Sequence, residues 1–178
     1  MNSPDLPTQF ARTHRYAFGV PRGFTVSRDG ARVLFVRSTA GDDPVSRLWL
    51  YEVGAEAGEE GEGGSGDAGG SRGAGESGGE AVSGAERMLA DPLVLGASGP
   101  VPEAERVRRE RAREASQGVV SFATADSARV VAFAVSGALW TVRTDGGAPR
   151  RSGTPRPRVD PRPSPAGSRH AFVSRGAM

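Results

Sequence analysis

The chain has 178 residues, length for about one domain, and its 23 basic and 21 acidic side chains leave a net charge of +2. Every basic side chain is arginine, and lysine, isoleucine and cysteine are absent. The lack of cysteine excludes disulfides, cysteine-ligated iron–sulfur or zinc sites and a cysteine nucleophile, and the exclusive use of arginine makes arginine abundance weak evidence for nucleic-acid binding. The opening MNSPDLPTQF has no basic region followed by an apolar core, so no secretory signal is read there. The longest apolar run, Val130–Val135, is far short of the ~20 residues of a membrane span. A soluble, cytoplasmic chain without cofactor, membrane or nucleic-acid partner is the expectation.

Taken in order, the segments with folding potential are short, rich in valine and aromatics, and bounded by turn residues. Arg32–Arg37 reads RVLFVR and Leu48–Val53 reads LWLYEV; Val119–Ala123, Val130–Val135, Leu139–Arg143 and His170–Ser174 follow. Their length and β-branched or aromatic content predict strands. Ser27-Arg28-Asp29-Gly30 and Thr144-Asp145-Gly146-Gly147 predict turns at strand borders. Between the second and third strands lies Gly54–Ala85, with 13 of the chain's 26 glycines, seven acids and one arginine. Almost nothing in it can be buried to offset the ~1–2 kcal/mol of backbone entropy lost per ordered residue, so a disordered acidic loop is expected. Pro102–Gln117, PEAERVRRERAREASQ, is the one helix candidate. Its proline suits a first helical position, and Glu105/Arg109 and Arg106/Glu110 are helical i,i+4 pairs.

A repeat runs through these elements. Val26–Val36 (VSRDGARVLFV) is echoed at Ala125–Ala134 (ADSARVVAFA) and again at Pro163–Val173 (PSPAGSRHAFV). Aligning Gly30 with Ser127 and Gly167 gives spacings of 97 and 40 residues. Units of ~40–45 residues with several short strands each are the signature of a β-propeller. The expected fold is therefore all-β: an incomplete propeller of about two to three four-stranded antiparallel blades, one inserted helix and the acidic loop. The expected parts are an N-terminal segment with the start of a first blade (1–53), the insertion (54–85), the end of the first blade (86–101), the helix (102–117), a second blade (118–163) and the opening of a third (164–178).

The DG-x-R-V-x-F strand, LWLYEV, Glu86–Pro92 (ERMLADP), the E-x-x-R-x-R-R-E-R-x-R helix and the G-V-V-x-F strand together resemble the N-terminal propeller of bacterial dipeptidyl peptidase IV-like enzymes. These are serine peptidases of the prolyl oligopeptidase family. The resemblance covers roughly Phe10–Val53 and Glu86–Val173, with the arginine-rich helix as its most specific part and the 54–85 insertion as its departure. It implies a parent enzyme that releases N-terminal dipeptides, with an eight-bladed propeller followed by a Ser-Asp-His α/β-hydrolase domain, and possible assembly as a homodimer. The present chain would be an inactive, non-catalytic fragment of that parent. The resemblance further implies that an arginine after the first blade hydrogen-bonds a substrate carbonyl. Arg113 matches best, with Arg109 and Arg111 as alternatives, and a planar guanidinium suits the role because it fixes an oxygen without losing charge.

Catalysis by this chain's own residues is not expected. Gly-x-Ser-x-Gly occurs around Ser71 and Ser77, but within glycine-rich sequence that has no strand before it and no helix after it. His14 and His170 lack partners at metal-ligand spacing, and the acidic pairs Asp42-Asp43 and Glu59-Glu60 read as solvated loops. A propeller without a hydrolase, acting as a protein-binding module, is the alternative. The basic stretch Arg150–Arg162 has no interleaved aromatic for base stacking, which argues against nucleic acid. Blades with unpaired edges are expected to make the chain poorly soluble or oligomeric.

Overall fold

A computed structural model describes residues 5–54, 84–96, 103–111, 113–153, 158–165 and 167–174. The expected disordered loop therefore lies outside the described residues, except for Gly54 and Gly84–Ala85. Most described elements are antiparallel strands, so the chain is all-β, as its composition and periodicity predict.

In the first sheet, β1 (Arg22–Val26), β2 (Arg32–Arg37), β3 (Val45–Val53) and β4 (Gly84–Ala90) form an antiparallel meander in chain order. The two residues of β5 (Gln117–Gly118) join the start of β3 in parallel. The second sheet, β6 (Phe122–Thr124), β7 (Val130–Val135), β8 (Ala138–Arg143) and β9 (Arg150–Arg151), is again a sequential antiparallel meander. A two-stranded sheet of β10 (Arg158–Pro163) and β11 (His170–Ser174) follows. Two helices complete the described elements, α1 (Leu6–Arg12) and α2 (Glu103–Arg111).

The repeat returns as geometry. Three turns carry the same backbone bond: Gly30 N–H to Ser27 O at 2.9 Å, Ala128 N–H to Ala125 O at 2.8 Å, and Gly167 N–H to Ser164 O at 2.8 Å. Each donor has left-handed backbone, with φ of 72°, 51° and 69°. In the first and third turns the serine hydroxyl also accepts from an arginine N–H, that of Arg32, which opens β2, at 3.0 Å and that of Arg169, just before β11, at 3.2 Å. The left-handed position thus fixes the equivalence, which falls on Ala128 rather than Ser127. The expected spacings of 97 and 40 become 98 and 39.

Cross-strand register extends the equivalence. Phe35 stands opposite Trp49 in the first sheet, and Phe133 opposite Trp140 in the second. Because side chains alternate across a strand, Leu34, Val36, Leu48 and Leu50 share one face of the first sheet, while Phe35 and Trp49 share the other. In the second sheet Val131, Phe133, Trp140 and Val142 share a face. The core forms where the first sheet's aliphatic face meets the second sheet's Phe133 face: Leu34, Val36, Leu48, Leu50, Val131, Phe133 and Val142 belong to one buried cluster. Unlike faces meet, so the second sheet follows the first in the same orientation instead of mirroring it. Arg28 N–H donates to Asp126 O at 2.8 Å, setting two equivalent turns side by side at one end.

Several boundaries differ from expectation. The helix predicted over 102–117 is α2 over Glu103–Arg111, because Arg113 takes φ 51° and Gln117 donates to Pro44 O at 2.7 Å, entering the sheet edge. β3 begins at Val45, three residues before the predicted Leu48, and β4 begins at Gly84, inside the expected loop. Of Val119–Ala123 only Phe122 and Ala123 are strand; Val119 is buried and donates to Ser46 O at 2.9 Å. β10, which falls within the expected segment 118–163, pairs with β11 of the following segment 164–178. The helix α1 carries no apolar period. It is held by local devices, with Asp5 capping Thr8 N–H at 3.3 Å and Arg12 reaching Asp42 at 2.5 Å.

Candidate functional site

The segment after α2 is anchored residue by residue. Glu114 accepts two bonds from Arg22 Nη1 of β1, at 2.8 and 2.7 Å, and one from Ser116 N–H at 2.9 Å. Arg22 also donates to Ser46 Oγ at 3.2 Å. Gly118 has φ 72°, and a Cβ there would sit 2.6 Å from Ser46 O and 2.7 Å from Pro92, so the close approach of β5 to β3 requires glycine. Burial pushes the Glu114 carboxyl up, but the Arg22 guanidinium and the Ser116 N–H more than offset this and hold it below its ordinary range.

Arg113, the favoured substrate-binding residue, sits immediately before this anchor. It is exposed, its N–H donates to Glu110 O at 3.1 Å, and its guanidinium has no partner among the described residues. Arg111 ends α2 and is exposed; the side chain of Arg109 lies outside the described ones. Neither Arg111 nor Arg113 lines either of the two cavities described below. The structure does place Arg113 on a backbone fixed by the Arg22–Glu114 pair, a 92-residue contact that sequence reasoning did not single out.

A second fixed ionic cluster closes the opposite turn of the β2–β3 connection. Arg47, nearly buried, donates to Asp43 at 2.5 Å, Asp91 at 3.0 Å and Val45 O at 2.8 Å. Burial raises the Asp43 carboxyl, and the Val45 N–H, Arg47 and Thr39 together bring it below its usual value. Asp43, read from sequence as a solvated loop acid, is thus structural, and Asp42 pairs with Arg12.

A cleft lies between the second sheet and the β10–β11 hairpin. It comprises two adjoining cavities of about 300 and 550 Å³, both lined by Thr141, Arg150 and His170. Among the described residues, the buried Nε2 of His170 has no hydrogen-bond partner and no carboxylate lines either cavity. His14 stacks on Phe18 with ring centroids 5.4 Å apart. Ser71, Ser77, Glu59 and Glu60 lie outside the described residues. Among the described residues no group of three histidine or acidic side chains could hold a metal, and no helix is long and apolar enough to cross a membrane.

No protein-family model matches the chain, and no curated protein matches its sequence.

Proposed function

We propose that this chain is a non-catalytic β-propeller portion of a dipeptidyl peptidase IV-like serine peptidase, acting in the cytoplasm. In this reading the blades admit and position peptides, and Arg113 donates to a substrate carbonyl. The observation that carries the reading is the stacking of two sequential four-stranded meanders through unlike faces, with a third copy of the same turn opening the next pair of strands. A Greek-key sandwich exchanges strands between its sheets; the two meanders here do not. Propeller blades repeat one meander and stack it in a constant sense. Arg113 suits its role because its guanidinium is free among the described residues while the backbone beside it is tied to β1 and β3.

The test is the coding sequence beyond codon 178 together with a turnover assay. The reading predicts further repeats of about 40 residues, then a strand–Gly-x-Ser-x-Gly–helix elbow, and no cleavage of an X-Pro chromogenic peptide by the chain alone. A frame that closes a ring without a hydrolase overturns it in favour of a binding module. So does turnover that co-purifies with the isolated chain.

A further inference from the structure

We infer that the cleft between the second sheet and the β10–β11 hairpin is a binding site for a phosphate monoester whose organic part is apolar or aromatic. The larger of its two cavities, about 550 Å³, is lined by three arginines from two separate elements. Arg150 and Arg151 come from β9, and Arg169 comes from the turn before β11. All three are exposed, and none is ion-paired among the described residues. Ser152, just after β9, and Ser168, beside Arg169, add hydroxyls to the same lining.

Like charges that converge repel, and an anion held between them relieves that cost. The surrounding sequence offers little else to do so. Residues 143–178 hold eight arginines and two acids. Each acid is taken by the arginine two residues away: Arg143 donates to Asp145 at 2.8 Å, and Arg162 pairs with Asp160 at 3.1 Å.

Both walls of the cavity stand on fixed backbone. Arg150 lies opposite Thr141 and Arg151 opposite Trp140 in the β8–β9 ladder, and Ser152 N–H donates to Leu139 O at 2.8 Å. On the other wall Ser164 N–H donates to Arg169 O at 2.8 Å, and Arg169 N–H donates to Ser164 Oγ at 3.2 Å. β10 packs against β6 and β7, which holds the hairpin against the sheet. Guanidiniums on such backbone lose less freedom in capturing an oxyanion than guanidiniums on a mobile loop.

Charge and lining together indicate the ligand. A carboxylate carries one negative charge, whereas a phosphate monoester carries about −1.5 to −2 at pH 7, with three acceptor oxygens that can engage more than one guanidinium fork. The cavity is larger than a phosphate group alone and falls within the ~300–1,000 Å³ of small-molecule sites. Leu139 and Phe172 give its lining an apolar side, which an aromatic or aliphatic ester group would cover. The inference does not rest on the peptidase reading.

The experiment is calorimetric titration of the 178-residue chain at low salt with phenyl phosphate, inorganic phosphate and benzoate, repeated for Arg150→Gln, Arg169→Gln and Arg28→Gln. Arg28 is exposed in the β1–β2 turn and serves as the control away from the cleft. Phenyl phosphate is expected to bind once per chain, about fivefold or more tighter than either other probe, with affinity falling as salt rises. Each cleft variant should weaken it about tenfold through loss of a charge-assisted hydrogen-bonding partner, with circular dichroism unchanged and the control binding like the parent. Absence of binding at millimolar phenyl phosphate overturns the inference. Equal affinity for the three probes overturns it as well, and so does an equal loss in Arg28→Gln, which would mark diffuse attraction to surface charge.

Discussion

The two meanders use one plan and meet different fates. Both open with a left-handed turn residue, both set phenylalanine opposite tryptophan, and both return a backbone bond four residues outside that pair: Val53 N–H to Ala31 O at 2.9 Å and Thr144 N–H to Arg129 O at 3.0 Å. They differ in the hairpin. Ser136-Gly137, with φ of 48° and 75°, joins β7 to β8 as a tight two-residue turn. The first sheet spends residues 38–44 on the same connection, and those residues bind α1's exit through Ser38 and hold Arg47 through Asp43. They differ also in which side is covered. In the second sheet the Phe133–Trp140 side joins the shared core; in the first the aliphatic side joins it, while Phe35, though buried, lies outside that cluster beneath the exposed Phe24. A residue's register position therefore does not set its energetic weight. What stacks above it does.

That lesson can be broken by comparing equivalent substitutions. Phe133→Ala empties a site closed on both sides and should cost about 4 kcal/mol. Phe35→Ala, where Phe24 and Arg37 can settle into the space, should cost about half as much. Urea midpoints at constant m-value measure both, and equal losses would mean that the first sheet's outer face is as tightly enclosed as the core.

A smaller effect sharpens the comparison, because the first sheet alone carries the β5 anchor. Glu114 is held below the ordinary carboxylate range in the fold by Arg22 and the Ser116 N–H. A carboxylate so depressed contributes stability that is complete above its unfolded pKa and is lost as pH falls through its folded value. Glu114→Gln should therefore cost about 1 kcal/mol at pH 7 and progressively less as pH falls through the depressed folded range of the carboxyl, flattening the acid limb of thermal stability. A variant with the parent's acid limb would show that the Arg22 contact does not stabilise the segment.

Period-two patterning made β2, β7 and β11 legible to the residue, since each is a continuous apolar or aromatic run between turn signals. Elements made by partners were not legible. β5 exists because β3 offers Val45 and Ser46 as an edge, β9 because β8 lies beside it, and α1 because Asp5 and Thr13 cap seven residues without an apolar stripe. The end of α2 was missed for the same reason: nothing in EAERVRRERARE announces that Glu114 will leave the helix for Arg22, 92 residues back. For the candidate site, sequence supplied Arg113 through a family resemblance, and the structure added what fixes it. The one-residue shift of the repeat onto Ala128 arose because Asp-Gly and Asp-Ser look equivalent in letters, while the backbone aligns by positive φ.

The stacking of the two sheets in one sense is the claim on which the rest is built, and the absence of native cysteine makes it directly testable. Arg28 and Asp126 are both exposed and joined by a backbone hydrogen bond of 2.8 Å across the two turns, which brings their Cα atoms within disulfide range. The Arg28→Cys, Asp126→Cys double variant should oxidise to a single intramolecular crosslink that raises the melting temperature. Free thiols persisting under oxidising conditions, with the chain still folded, would contradict the arrangement.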